Sequence, residues 1–167
     1  CPCGKYGGEY PPGQACSCPE GAILRYRSRV SGPFLDRIDL QVELPQQKGD
    51  PSGPEDDRSR RMTSAEARQR VAEAYDIQRE RYKGTGIRWN SELQGRMLER
   101  YAILSPGAKR LLADIYTRLG LSHRAHDRLL KVSRTIADLA GSERIEDEHV
   151  AEAARYRCFD HRPAAAG

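Results

Sequence analysis

The chain has 167 residues, of which 31% are charged and 38% are hydrophobic, and its formal net charge is +4. No stretch approaches the ~18 consecutive apolar residues of a membrane-spanning helix, and no basic-then-apolar leader opens the chain. The composition therefore excludes a transmembrane protein and favours one cytoplasmic domain with a small appendage and no membrane partner. Because the chain begins at Cys1 rather than at a methionine, we expect it to be a piece of a longer protein.

The basic charge is concentrated in the middle of the chain. Residues 58–110 carry 13 basic and 6 acidic side chains, whereas residues 1–57 carry 6 and 9, and residues 111–167 carry 9 of each. A local excess of positive charge favours contact with phosphates. An ordinary solvated, Arg-rich helical surface has the same composition and is the alternative interpretation.

Four of the five cysteines lie at the start of the chain, as the pairs Cys1/Cys3 and Cys16/Cys18, and Cys158 is isolated. The loop between the pairs is rich in Gly and Pro, which disfavour a regular helix or strand. Two thiol pairs on one loop are typical of a tetrahedral Zn²⁺ site, so we predict a structural zinc site. The one-residue spacing within each pair is shorter than the usual two to four, and free thiols or two disulfides are the alternatives.

The first half of the chain predicts few regular elements. Residues 20–30 have helical spacing, and Ser31-Gly32-Pro33 is expected to end that helix. From Ile38 to Leu44 apolar and polar residues alternate, which predicts a half-buried strand. Residues 46–62 combine Pro, Gly and mixed charge, and we interpret them as a flexible linker.

The second half of the chain predicts a series of helices with recognisable start and stop residues. Thr63 with Glu66 matches a capping box, and the apolar side of the helix that follows is expected to hold Ala67, Val71, Ala74, Tyr75 and Tyr82. The predicted helical ranges are Thr63 to about Lys83, Asn90 onwards, Ser105 to Gly120, Ser122 to Gly141, and Glu146 to Arg157.

These elements predict a mainly α fold in four parts. Residues 63–160 form a helical bundle, and residues 161–167 a disordered tail. Residues 1–45 hold one strand, one helix and the Cys-rich loop, and one strand cannot form a sheet by itself. We therefore expect residues 1–45 to be the end of an α/β domain whose remainder lies elsewhere, joined to the bundle by the linker 46–62.

Three motifs in order along the chain carry a family resemblance. They are CPCG with CSC and RYR in residues 1–27, SGPFLDRIDL at residues 31–40, and GLSHR followed by RLLKVSRTIADLAG at residues 120–141. The second resembles a segment of AAA+ ATPases of the helix-2-insert type, and the third resembles their lid helix. Together the three motifs are similar to those of bacterial magnesium-chelatase-like proteins of the ComM/YifB type.

The resemblance implies a function for the longer protein. Residues 1–45 would end the AAA+ core, and residues 63–160 would be its helical lid. Arg37 would be the arginine finger that reaches a nucleotide on the neighbouring subunit, and Arg124 the sensor 2 arginine near the γ-phosphate. A guanidinium suits both roles because it stays charged and offers a rigid fork of donors. The family implies ATP and Mg²⁺ as cofactors, a hexameric ring of identical subunits, and action on DNA in recombination or natural transformation.

The chain departs from the family pattern where ATP is held. It contains no Gly-x-x-x-x-Gly-Lys-Ser/Thr phosphate loop and no apolar strand that ends in a magnesium-binding acid. We therefore expect the full-length protein to be an ATPase and this chain by itself to hydrolyse no ATP. The alternatives are a non-catalytic DNA-binding helical module with a zinc knuckle, which requires one continuous basic face over residues 58–110, and an interaction scaffold.

Overall fold

The computed structural model describes residues 1–7, 10, 13–35, 37–42 and 62–157. Within these ranges the chain is mainly helical, which confirms the predicted fold class. The predicted tail 161–167, Cys158 and all of the predicted linker except residue 62 lie outside the described residues. In chain order the elements are α1 Glu20–Arg27, α2 Gly32–Leu35, α3 Ser64–Arg81, a 3₁₀ turn Asn90–Glu92, α4 Gly95–Tyr101, α5 Pro106–Leu119, α6 His123–Leu139 and α7 Asp147–Arg155. None of these described helices is both long and apolar enough to cross a bilayer.

The predicted caps start the long helices. Thr63 Oγ1 accepts a hydrogen bond from Glu66 N at 3.2 Å, and Thr63 N donates to Glu66 Oε2 at 2.7 Å, so the capping box at α3 is confirmed. Ser105 and Ser122 accept from the backbone three residues later at 3.2 and 3.1 Å. These bonds satisfy backbone N–H groups that have no partner inside the helix.

Helix α6 is the centre of the bundle. It packs against α7, α3 and the 3₁₀ turn, and α7 also packs against α5. A parallel backbone bridge between Leu104 and Ile145 joins the start of α5 to the start of α7. The most deeply buried apolar side chains, each at most 1% exposed, are Leu93, Ala108, Ala125, Leu129, Ala137, Ile145, Val150 and Ala153. Burial of this apolar surface is the main stabilising term of the bundle.

The predicted strand at Ile38–Leu44 is not formed as a strand over residues 38–42, the described part of that range. A single parallel bridge joins Gln41 to Arg157. The expected inward side is also wrong, because Leu40 and Val42 are 52% and 59% exposed whereas Gln41 is 5% exposed. A strand needs neighbouring strands to hold its pattern of faces, and this segment pairs with the end of a helix instead.

Two further predictions needed correction. Helix α1 ends at Arg27, before Ser31-Gly32-Pro33 as expected, but a further single turn, α2, starts at Gly32, since proline is tolerated in the first turn of a helix. In α3 the buried residues are Ala74 and Gln78, while Val71 and Tyr75 are 45% and 49% exposed. The α3 face toward the bundle therefore includes a polar residue that the apolar pattern does not reveal.

Candidate functional site

The four N-terminal cysteines converge on one point. Their Sγ atoms all lie within 4.8 Å of one another. The sulfur–sulfur distances are 3.4 Å for Cys1–Cys3, 3.6 Å for Cys3–Cys16 and 3.6 Å for Cys16–Cys1. Gly4 N donates to Cys1 O at 3.1 Å, and the φ of Gly4 is +78°, a conformation that glycine adopts at no steric cost. This tight turn brings Cys3 back beside Cys1.

The cysteine cluster matches the geometry of a tetrahedral thiolate site. With Zn–S bonds of about 2.3 Å, the sulfur–sulfur edges of a regular tetrahedron are about 3.8 Å. The three edges among Cys1, Cys3 and Cys16 are slightly shorter, and each is far longer than the ~2.05 Å of a disulfide bond, while Cys18 Sγ lies within 4.8 Å of the other three sulfur atoms. All four cysteines are free. The donor set and its spacing therefore fit one Zn²⁺ ion.

Two thiols of the cluster, those of Cys3 and Cys16, have shifted pKa values. A backbone hydrogen bond from Lys5, supported by one from the Cys18 thiol, lowers the pKa of Cys3. At Cys16 a backbone hydrogen bond from Cys18 favours the thiolate, but desolvation and the neighbouring thiols of Cys3 and Cys18 outweigh it and raise its pKa. Crowded thiols resist losing several protons at once, and a divalent cation at their centre removes that repulsion.

Arg37 lies directly after the single turn of α2 and is exposed. Its Nη1 donates to Pro33 O at 2.5 Å, so the side chain folds back over its own turn. A neutral carbonyl is a weaker partner than a carboxylate or phosphate. A phosphate would therefore be a stronger acceptor for the Arg37 guanidinium than the Pro33 carbonyl is.

Arg124 is also exposed and occupies the first turn of α6. The N-terminus of a helix carries partial positive charge, so an arginine at this position gains nothing from the helix dipole. Among the described residues, no hydrogen bond or ion pair joins Arg124 to Arg37. The two are connected through Arg128, one turn later on α6.

Arg128 joins the bundle to the junction segment, which we define as residues 37–42. Its Nη1 donates to Arg37 O at 2.6 Å and lies 2.5 Å from Asp39 Oδ1. Gln41 N donates to Tyr156 O at 2.7 Å and gives the same segment a second attachment, at the end of α7. Sequence reasoning missed Arg128, because its partners lie about ninety residues away and no local pattern links them.

A buried ionic network fixes the orientation of α6. Asp138 Oδ1 lies 2.5 Å from Arg81 Nη2 and 2.9 Å from Arg134 Nη2, and Asp138 Oδ2 accepts from Asn90 Nδ2 at 2.8 Å. The side chains of Arg134 and Asp138 are both 0% exposed. Burial opposes the charge of Arg81, but the hydrogen bonds and the negative charge of Asp138 outweigh burial and raise the pKa of Arg81. For Arg134 the balance is reversed, because burial outweighs the attraction of Asp138 and lowers the pKa of Arg134.

Comparison with known proteins places both parts of the chain in one family. Residues 61–157 match the family described as "Magnesium chelatase, subunit ChlI C-terminal", and residues 1–51 match "Magnesium chelatase, subunit ChlI". The uncharacterized protein YifB of Salmonella typhimurium is 41% identical over 143 residues, which cover 86% of this chain and 27% of that protein. The competence protein ComM of Haemophilus influenzae is 43% identical over 144 residues, which cover 82% of this chain and 26% of that protein. The chain thus spans about a quarter of the length of these relatives.

The helical bundle, with its capped central helix and a short N-terminal segment docked against it, is a lid-type domain of the AAA+ ATPase-like class. More narrowly, the chain belongs to the magnesium chelatase ChlI family and is of the ComM/YifB type. The resemblance stated from the three motifs is therefore confirmed. The roles of Arg37, Arg124 and the four cysteines stay predictions.

Proposed function

We propose that this chain is the C-terminal part of an ATP-dependent AAA+ motor, to which it contributes Arg37 as an arginine finger acting in trans and Arg124 as sensor 2. One observation carries the proposal: the junction segment that holds Arg37 is bonded through its backbone to the helix that holds Arg124. Both guanidinium groups are exposed. Two exposed arginines on one anchored unit suit contact with the phosphates of a bound nucleotide.

The full-length protein would supply what this chain does not contain. ATP and Mg²⁺ would be held by a phosphate loop and an acidic residue outside these 167 residues. An arginine finger that acts in trans requires neighbouring copies of the same chain, so the proposal includes a ring of subunits, a hexamer by family resemblance. The finger contributes positive charge where negative charge develops on the transferred phosphoryl group.

DNA is the proposed substrate of the motor. The support is the similarity to a relative named as a competence protein and the basic excess of residues 58–110. The alternative of an independent DNA-binding helical module is less well supported, because part of that basic charge is already used. Within the described part of this segment, residues 62–110, four basic residues lie within ion-pair distance of an acidic side chain: Arg79, Arg81, Lys83 and Arg88. A steep fall of DNA affinity with salt for the 167-residue chain alone would favour the module.

The decisive test of the motor is the Arg37→Ala variant of the full-length protein. We expect ATP turnover to fall by about 10³–10⁵ while nucleotide binding stays nearly intact, because the finger acts mainly on the transition state. Arg29→Ala, which removes another exposed arginine of the N-terminal part, is the matched control and should keep wild-type turnover. Turnover of Arg37→Ala above about a tenth of wild type contradicts the proposal. Arg124→Ala should alter how the lid responds to nucleotide.

We also propose that Cys1, Cys3, Cys16 and Cys18 hold one structural Zn²⁺ in the reduced cytoplasm. The described residues around them bury little apolar surface, with Ile23, 7% exposed, the nearest buried apolar side chain in the sequence. Metal binding would replace the missing core by supplying the free energy that orders the loop. Four thiolates leave no open coordination position, which is typical of a structural rather than a catalytic zinc.

Metal analysis of the full-length protein tests the zinc site. Protein purified without chelator should contain about one zinc per chain at this site. The Cys16→Ser/Cys18→Ser double variant should lose it, and Cys158→Ser, which changes the cysteine that is not one of the four proposed ligands, should retain it. Metal-free protein that keeps its fold and its ATPase activity contradicts the proposal.

A further inference from the structure

Arg128 makes an unusual pair of contacts for a residue on a helix surface. Arg128 Nη1 donates two hydrogen bonds to the junction segment. One goes to the backbone carbonyl of Arg37 at 2.6 Å and the other to Asp39 Oδ1 at 2.5 Å. The Arg128 side chain is 25% exposed, so the packing around it limits its alternatives. The bundle thus holds the backbone of the proposed finger residue itself.

The side chain of Arg37 is held differently from its backbone. Its guanidinium bonds only to a carbonyl of its own turn, Pro33 O, among the hydrogen bonds of the described residues. It can leave that acceptor without breaking an ion pair. An anchored backbone with a releasable head group lets the guanidinium reach a phosphate while its origin stays fixed.

Arg124 and Arg128 lie one turn apart on α6. Residues four apart on a helix face the same side, about 5–6 Å from one another. Because α6 is a continuous helix of 17 residues, Arg124 and the anchor of Arg37 keep a constant separation. A movement of α6 displaces both together.

We propose that Arg128 is a positioning residue, which fixes the backbone of Arg37 to α6 so that the finger moves with the lid. This inference rests on the proposed function, since it presupposes that Arg37 acts on a phosphate. Asp39 assists by holding the second donor of Arg128. A misplacement of about 1 Å at a reacting centre can cost about 10²-fold in rate, so loss of the anchor affects turnover strongly.

The anchor contributes little to the stability of the fold. Asp39 is 60% exposed, and ion pairs with one solvated partner are weak. The attachment of Gln41 to Tyr156 remains when Arg128 is replaced. The junction segment therefore stays on the bundle in an Arg128 variant, and only the part around Arg37 loosens.

The test measures ATP turnover and nucleotide affinity of the full-length protein. For Arg128→Ala we expect kcat to fall by about 10–100-fold, KM and the Kd for ATP to change by less than about threefold, and the Tm to shift by only a few degrees. Arg128→Lys should recover part of the rate, because an ammonium can still donate to the Arg37 carbonyl. Lys131→Met is the matched control, since Lys131 lies on the same helix but bonds to Ser91 O at 3.0 Å, away from Arg37.

The double variant Arg37→Ala/Arg128→Ala separates positioning from general damage. If Arg128 acts through Arg37, the double variant has the same rate as Arg37→Ala, because nothing is left to position. Multiplicative losses overturn the inference, and so does an Arg128→Ala rate equal to that of Lys131→Met. A near-wild-type rate for Arg37→Ala overturns the proposed function itself, whatever Arg128→Ala does.

Discussion

Replacement of Asp138 by asparagine tests how the bundle is held together. The carboxylate accepts hydrogen bonds from Arg81, Arg134 and Asn90, and its side chain has no contact with solvent. Asparagine keeps the size of the side chain but removes the negative charge and turns one acceptor into a donor. At least one guanidinium would then face an N–H group in place of an oxygen.

The size of the effect follows from the burial of the partners. Removal of one member of a buried ion pair costs about 3–5 kcal/mol, because the remaining charge is left uncompensated. Arg134 keeps two backbone acceptors, Ser142 O at 2.6 Å and Glu143 O at 2.8 Å. The side chain of Arg81 is 16% exposed and can turn toward water. We therefore expect the lower end of the range, about 3 kcal/mol, which is a large share of the ~5–15 kcal/mol typical of a domain.

The assay is urea unfolding of the 167-residue chain followed by far-ultraviolet circular dichroism. For a cooperative unit of about 100 residues, the size of the helical bundle, about 3 kcal/mol also lowers the Tm by about 12–24 °C. Asp76→Asn is the control, because Asp76 pairs with Arg79 at 2.8 Å on the surface with 66% exposure of its side chain. We expect the control to change stability by less than about 0.5 kcal/mol. An Asp138→Asn variant within about 1 kcal/mol of wild type would refute the assignment of the network as a structural element.

Three further predictions concern other features of the chain. Gly107→Ala should destabilise the bundle by about 1 kcal/mol, because a Cβ at position 107 meets the Asp147 carboxylate. In an Asp147→Ala background the same change should stabilise the bundle, since alanine is the better helix former. Equal effects on stability in both backgrounds would contradict the contact. Hydrogen bonds from the backbone N–H of Thr63 and, second, from its hydroxyl lower the pKa of Glu66. The stability that Glu66 contributes is therefore present above its unfolded pKa of about 4.3 and is lost as the pH falls through the lower folded value. The difference in the free energy of unfolding between wild type and Glu66→Gln, measured with urea, should close over that pH interval. Zinc affinity, measured by competition with a colorimetric chelator at pH 6, 7 and 8, should rise with pH because each ligand binds as thiolate, and a pH-independent affinity would argue against cysteine ligation.

The starts of α3, α5, α6 and α7 could be predicted because their signals are local, whereas the helix expected from Asn90 begins only at Gly95, after a 3₁₀ turn. A serine or threonine followed three residues later by a free backbone N–H forms a cap whatever the rest of the fold does. The strand at 38–44 failed for the opposite reason, since a strand depends on partners that the local pattern does not contain. The α3 face was predicted only in part: Ala74 and Tyr82 are buried as expected, but Gln78 is buried too, because its side chain accepts a hydrogen bond from Asn90 N at 2.8 Å, a contact that spans twelve residues.

The candidate sites also differ in whether their signals are local in the sequence. The cysteine cluster could be predicted, because two thiol pairs on a short loop can hardly avoid one another and few other chemistries use them. Arg37 and Arg124 were selected through family resemblance, and their exposure agrees with the proposed roles without testing them. Arg128 begins the RLLKVSRTIADLAG motif, but nothing in the sequence indicates that it contacts residues 37–39. Its importance depends on the approach of two segments about ninety residues apart, which only the three-dimensional structure reveals.

The two attachments of the junction segment also restrict the geometry of any lid movement. A body tied at one point can swing in every direction, whereas a body tied at two points turns only about the line between them. Here the first tie is the Arg128 contact on α6 and the second is the Gln41 bridge at the end of α7. While both contacts hold, the bundle can rotate relative to the junction segment only about the axis through them, so one angle describes the movement. If the lid moves in the proposed motor, the axis of that movement would run from the first turns of α6 to the end of α7.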